Sequence, residues 1–195
     1  MDLAAVTSLA FVASITPGPN NLMLWASGLN HGIRGTVAHL LGVSAGFNLL
    51  LFTVAAGLGR LFERYPGFEL SLKIVGGIYL LHLAFRIFNT SSIGEVEASN
   101  RPLSFLEAVA FQVVNPKAWV MAITAASIGL APGIPVVAAA LALTAVFAVV
   151  NFPCIVVWMV SGSFASRLLD RPNRLRAANR ILGLLLAATV VLIVS

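Results

Sequence analysis

The sequence predicts an all-α polytopic membrane protein, with six transmembrane helices forming two inverted three-helix repeats, approximately 1–90 and 103–195. Three observations carry that class. Of 195 residues, 59% are hydrophobic and only 10% are charged, and the mean hydropathy is +0.96, more apolar surface than a soluble domain of this size needs. Leu3–Ile33, Gly35–Gly59 and Ala118–Ser166 contain no formal charge, whereas a helix crosses the hydrocarbon with about 20 apolar residues. Two apolar segments are broken by proline-containing polar motifs half a chain apart, Thr16-Pro17-Gly18-Pro19-Asn20-Asn21 and Asn115-Pro116-Lys117. Irregular backbone at membrane depth survives only where protein or a watered cavity surrounds it.

The spans are expected at 3–30, 36–60, 68–88, 105–130, 134–162 and 176–195. The first follows Met-Asp with no basic region, and its apolar run far exceeds a signal-peptide core, so it reads as a retained helix. Span three has only 12 uncharged residues between Lys73 and Arg86, whose side chains must snorkel toward the headgroups. Ala131-Pro132-Gly133-Ile134-Pro135 divides the 49 charge-free residues into spans four and five. Span six has 15 uncharged residues after Arg180, about 22 Å of helix, and needs Arg176 and Arg180 at the interface. Asn89–Pro102 is the one long polar loop, with Glu95 and Glu97.

Charge sets orientation. The odd-numbered connections carry Arg34, Arg86, Arg101, Arg167, Arg171, Arg174, Arg176 and Arg180; the others carry Arg60, Arg64 and Lys73. Eight against three predicts cytoplasmic odd-numbered loops and two periplasmic termini. The same distribution assigns the net charge of +5 to topology rather than to nucleic acid. Between the halves, Asn48 follows the first break as Asn151 follows the second, and Lys73-Ile74-Val75-Gly76 echoes Arg180-Ile181-Leu182-Gly183.

Proline removes a backbone donor and clashes with the preceding turn, and Gly18 permits non-helical torsions. Carbonyls freed at the first break can accept from an ammonium, and the helix restarting near Asn20 offers N–H donors to a carboxylate. Thr16, Asn20 and Asn21 add neutral hydrogen-bonding groups, a set suited to a zwitterion. The competing reading of Thr16–Asn21 is a structural kink. Lys117 is the one formal charge between Glu107 and Arg167, and a charge at depth marks a functional site by default. It either binds a carboxylate or exchanges a proton, or else it neutralises carbonyls freed at the first break. Gln112 and Asn115 share a helix face with Pro116. Asn48 and Asn151 line the site or, the favoured alternative, join helices by hydrogen bonds.

Ala38, Gly42 and Gly46 form a small-residue stripe for close helix packing. His31 and His39 are expected at the interface. Three histidines and a lone Cys154 make no metal-ligand pattern, Cys154 reads as a small buried hydrophobe, and no cofactor motif is visible. No nucleophile–base pair points to an enzyme.

At these residues the chain resembles the LysE/RhtB family of bacterial amino-acid exporters along essentially its full length. The motifs are Thr16–Asn21, His31-Gly32-Ile33-Arg34-Gly35, Gly42-Val43-Ser44-Ala45-Gly46, and Arg101-Pro102-Leu103-Ser104-Phe105 leading to Gln112-Val113-Val114-Asn115-Pro116-Lys117-Ala118. Asn20-Asn21 and the stretch from Trp158 to Leu169 look closest to the cysteine/O-acetylserine exporter branch. The resemblance implies one LysE-type transporter domain over 1–195, in the bacterial inner membrane, exporting a small amino acid or derivative at the expense of the proton gradient. Exporters of basic amino acids in the family are expected to carry an intramembrane acid. Here the acids map to ends or loops, with Glu107 about 15 Å along the helix from Lys117, so a neutral zwitterion is the expected substrate. Lys117, then Glu107, are the proton-coupling candidates. Rival classes are a metal or cation exporter, which would cluster carboxylate, His or Cys ligands at the breaks, and a thiol oxidoreductase, which needs a cysteine in each half. A homo-oligomer is compatible with the sequence.

Overall fold

The prolines do to the backbone what their chemistry requires: helices stop just before Pro17 and Pro116, and new ones start at Pro19 and Pro116. The computed structural model describes residues 2–58, 65–90, 101–130, 133–169 and 172–194, and among them every regular element is helical. Helix α1 (Leu3–Ile15) is capped by Asp2, whose carboxylate accepts from the Ala4 and Ala5 amides at 3.0 and 3.1 Å. It stops at Thr16, held extended at φ −68°, ψ 146°, as the residue before a proline tends to be.

Helix α2 (Pro19–Thr53) restarts with proline in its first turn, where the missing N–H costs nothing. It runs on into a π-helical turn, Val54–Leu58. Gly32 interrupts it at φ 68°, ψ −179°, a conformation open essentially to glycine alone. The consequence is a reversal. Ser27 Oγ and His39 Nδ1 lie 3.0 Å apart, whereas twelve residues of straight helix would separate them by about 18 Å. The two limbs of α2 therefore form a helical hairpin that turns at Gly32, between the ends expected at 30 and 36.

Helix α3 spans Pro66–Phe88. Helix α4 (Phe105–Val114) opens on a capping box: Ser104 accepts from the Glu107 amide, and the Glu107 carboxylate accepts from the Ser104 amide. Helices α5 (Pro116–Gly129), α6 (Val136–Leu168) and α7 (Pro172–Val194) complete the described chain. Helix α6 extends six residues past its expected end, and α7 begins four residues early, beyond the apolar segments that the spans were drawn from. The turn residues Ala131 and Pro132, Arg60, Glu63, Arg64, Asp170, Arg171 and the loop residues 91–100, with Glu95 and Glu97, lie outside the described residues.

Small residues set the helix crossings. A Cβ on Gly28 would overlap the Met159 carbonyl oxygen, and one on Gly162 the Trp25 carbonyl oxygen, so the first limb of α2 and α6 touch backbone to backbone. The stripe on the second limb works the same way, Gly42 against the Phe105 carbonyl and Gly46 against Val109. Gly76 of α3 fits against the Val114 carbonyl at the second break, and Gly183 of α7 against Ala84. Leu24, Leu29, Leu80, Phe111 and Leu186 centre one apolar cluster, and Val6, Phe47, Leu143 and Phe147 a second. Large apolar side chains also face outward, Leu106 at 74% and Val149 at 73% exposure. Water would disfavour such a surface; lipid does not. Among the described residues, two stretches are by length and composition alone long and apolar enough to cross a membrane, Pro19–Leu58 and Val136–Leu168. The other helices are shorter or carry charges.

Candidate functional site

Every carbonyl around the first break has a donor, and the donors come from four helices. Within α1 and its end, the Val12 carbonyl accepts from the Thr16 amide and the Ala13 carbonyl from the Thr16 hydroxyl. Asn21 Nδ2, on α2, serves both Ser14 O at 2.7 Å and Thr16 O at 2.8 Å. Trp158 of α6 donates to Ile15 O at 3.1 Å, and the Leu22 amide to Gly18 O at 2.9 Å. Lys117, on α5, completes the set: its ammonium lies 3.2 Å from Thr16 O, 3.0 Å from Thr16 Oγ1 and 3.2 Å from Pro17 O. Three donors meet three acceptors, as an ammonium allows. Gly18 makes room for this, since a Cβ there would stand 2.7 Å from Lys117 Cδ. In this conformation Lys117 thus neutralises the freed carbonyls, the second of the two roles its position suggested.

Neutral amides tie the same region together. Asn20 and Gln112 exchange a reciprocal pair of bonds at 2.9 and 3.1 Å, and Gln112 Nε2 also donates to Ala108 O. Asn151 Nδ2 donates to Ser14 Oγ at 2.8 Å. Asn115, 1% exposed, closes α4 and opens α5, with Pro116 behind it in the first turn. Between these groups lies a cavity of about 30 Å3, lined by Gly18, Asn20, Asn21, Asn115, Lys117 and Asn151 together with Ser14 and apolar residues such as Val43 and Phe47. That is room for about one or two waters; a zwitterion enters only if the helices part. Asn115 Oδ1 and Asn151 Oδ1 are buried without a hydrogen-bond partner, two acceptors left over at the cavity. No carboxylate is among its lining residues.

Two of the residues singled out from sequence stand elsewhere. Asn48 donates to Ser44 O within its own limb, and its Oδ1 is also unpartnered, but it does not line the cavity. Glu107 receives both guanidinium nitrogens of Arg101, at 2.6 and 2.7 Å, while capping α4. His39 is not interfacial: it is 1% exposed and bonded to Ser27.

Sequence reasoning missed Ser14 and a second reciprocal amide pair, Asn30 with Asn179, both bonds 2.9 Å, with Asn179 also donating to the Thr90 carbonyl. Ser14 carried a usable signal, two residues before the break. Asn179 carried none, lying among arginines in an ordinary amphipathic stretch. Replacing Asn179 by Leu takes the donor from the buried Asn30 Oδ1 and leaves Asn30 Nδ2 only the Ala26 carbonyl, which is expected to destabilise the protein by about 1–3 kcal/mol. Asn30→Leu/Asn179→Leu together should cost less than the sum of the single changes, because neither amide is then orphaned. Thermal unfolding of the detergent-solubilised variants checks this.

A charge-poor helical chain whose two proline breaks converge on a small polar cavity has the construction of a membrane transporter. The chain belongs to the LysE type translocator family, which it matches over residues 11–195. It is 30% identical over 185 residues to the cysteine/O-acetylserine efflux protein of Escherichia coli (strain K12), covering 94% of this chain and 93% of that protein. The protein of the same name from Shigella flexneri serotype 5b (strain 8401) is equally similar. No solved structure matches at a significant level.

Proposed function

We propose that this chain is a secondary transporter of the bacterial inner membrane that exports a small neutral amino acid or derivative, of the cysteine/O-acetylserine or homoserine/threonine type. The observation that carries this reading is Lys117 crossing from the second break to the first, beside a cavity lined by amides and no carboxylate. A substrate carboxylate would draw the Lys117 ammonium from the Thr16 and Pro17 carbonyls and meet the positive end of α2. The substrate ammonium would take the unpartnered Oδ1 atoms of Asn115 and Asn151. A cationic side chain would find no counter-charge there.

We read the chain as six spans in two inverted halves, approximately 1–90 and 103–195, with both termini periplasmic, a reading supported by the arginine count. Rocking of one half on the other would expose the cavity to each side in turn. Proton antiport suits the energetics: one charge moved across 100 mV yields about 2.3 kcal/mol, roughly a fifty-fold gradient. Export of labelled amino acids from cells overexpressing the chain tests the reading, with cysteine, O-acetylserine, homoserine, threonine, leucine and lysine as the panel. Neutral amino acids are expected to leave fastest; preferential lysine export would overturn the assignment.

A further inference from the structure

Farther along the α2 hairpin, its two limbs, α3 and the segment before α4 border a second cavity, of about 50 Å3. Ser27 and Asn30 line it from the first limb, His39 from the second, Arg86 from α3, and Arg101 from the segment before α4. His39 is buried at 1% exposure. Its Nδ1 is taken by Ser27 Oγ, while its Nε2 has no hydrogen-bond partner. Buried ring nitrogens are rarely left unpaired, and an exception calls for a cause. Imidazole is also the side chain best suited to exchange a proton near neutral pH.

The two candidates named from sequence are engaged elsewhere, Lys117 by three oxygens of the first break and Glu107 by Arg101 and the α4 N-terminus. The titratable and charged groups around the histidine are His31 on the first limb, Arg86 on α3, Arg101 before α4, and Glu107 on α4. We infer that His39 is the proton-binding group of the transport cycle, exchanging its proton at Nε2 with water admitted to this cavity. The inference rests on the antiport reading above.

Coupling to substrate follows from the hairpin. Val43 lines the break cavity and His39 the second one, four residues apart on one limb, or about 6 Å of helix. Asn20 and Asn21 line the first cavity and Met23 the second, on the other limb. A tilt of the hairpin that opens one cavity therefore moves the walls of the other. When water reaches Nε2 from the acidic side, an N–H bond forms there as an O–H bond of hydronium breaks and leaves water. When the opposite side opens, that N–H bond breaks and the proton returns to water as hydronium.

The test uses the full chain in proteoliposomes, radiolabelled cysteine kept reduced, and an entrapped pH dye. His39→Gln and His39→Asn are expected to keep cysteine counterflow at symmetric pH within about threefold, while proton movement accompanying net cysteine flux falls by about tenfold or more. Ser27→Ala, which removes the Nδ1 partner, should keep proton movement but shift its pH midpoint. Proton movement persisting in both His39 variants would overturn the inference. So would loss of counterflow in both His39 variants with an unshifted pH midpoint in Ser27→Ala. Wild-type counterflow without any proton movement would overturn it while leaving neutral amino-acid export standing. Failure of the wild type to move any amino acid of the panel would instead remove the function on which it rests.

Discussion

Lys117→Met is expected to reduce cysteine counterflow in proteoliposomes by about tenfold or more while leaving a folded protein. The thioether fills a similar volume but donates nothing. Thr16 O then keeps only Asn21 as a donor, and Pro17 O and Thr16 Oγ1 lose the ammonium. Hydrogen bonds to a charged group contribute about 1.5–3 kcal/mol in net terms, and partial exposure of this lysine puts the loss at the lower end. Set against a total stability of about 5–15 kcal/mol, the fold survives, so a transport defect can be read by itself. Lys117→Arg should fare little better, because Gly18 already packs against Lys117 Cδ and leaves no room for a guanidinium. Counterflow at the wild-type rate in Lys117→Met would reduce the lysine to a filler of the break and remove it from the substrate site.

Gly28→Ala should lower the unfolding midpoint in detergent steeply, and Gly162→Ala likewise. Helix propensity alone favours alanine over glycine by about 1 kcal/mol. The packing decides otherwise: each new methyl would overlap a main-chain carbonyl of the facing helix, Met159 or Trp25. A backbone oxygen cannot rotate away as a side chain can, so α2 and α6 must separate. Overpacking costs about 1–3 kcal/mol or more, and a displaced α6 also strains the bonds it makes to the end of α1, Asn151 to Ser14 and Trp158 to Ile15. Gly67→Ala is the control. No atom lies within 4 Å of a Cβ built there, so that change should be neutral or stabilise by about 0.4–1 kcal/mol. Equal midpoints for Gly28→Ala and Gly67→Ala would show that the crossing is looser than the structure has it.

Much of the candidate site was legible because proline chemistry is local. Pro17 and Pro116 had to end helices wherever the chain placed them, and the amides clustered around them had to find work. The capping of α4 was equally local, although Glu107 was read for its charge and Ser104 only as part of a family motif, not for their helix-start spacing. What sequence missed depends on rotation about helix axes. A helix apolar on all sides carries no periodic signal of its buried face, so nothing marked His39 as turned inward or Asn48 as turned away from the cavity. A turn between 30 and 36 was expected, with Gly32 in a quoted motif, but its positive φ was not read from sequence; the close packing of the two limbs against α4 and α6 holds the hairpin it allows.

By itself the sequence determined that this chain is helical and lipid-facing, that two helices break at prolines, and that the breaks hold amides and one lysine. Those features follow from composition and from single-residue backbone chemistry. Only the tertiary structure decided that Lys117 reaches carbonyls a hundred residues away, that Asn20 meets Gln112 and Asn30 meets Asn179, and that His39 is buried beside a second cavity. Such pairings are fixed by which glycines let two backbones touch, and therefore by how the helices cross.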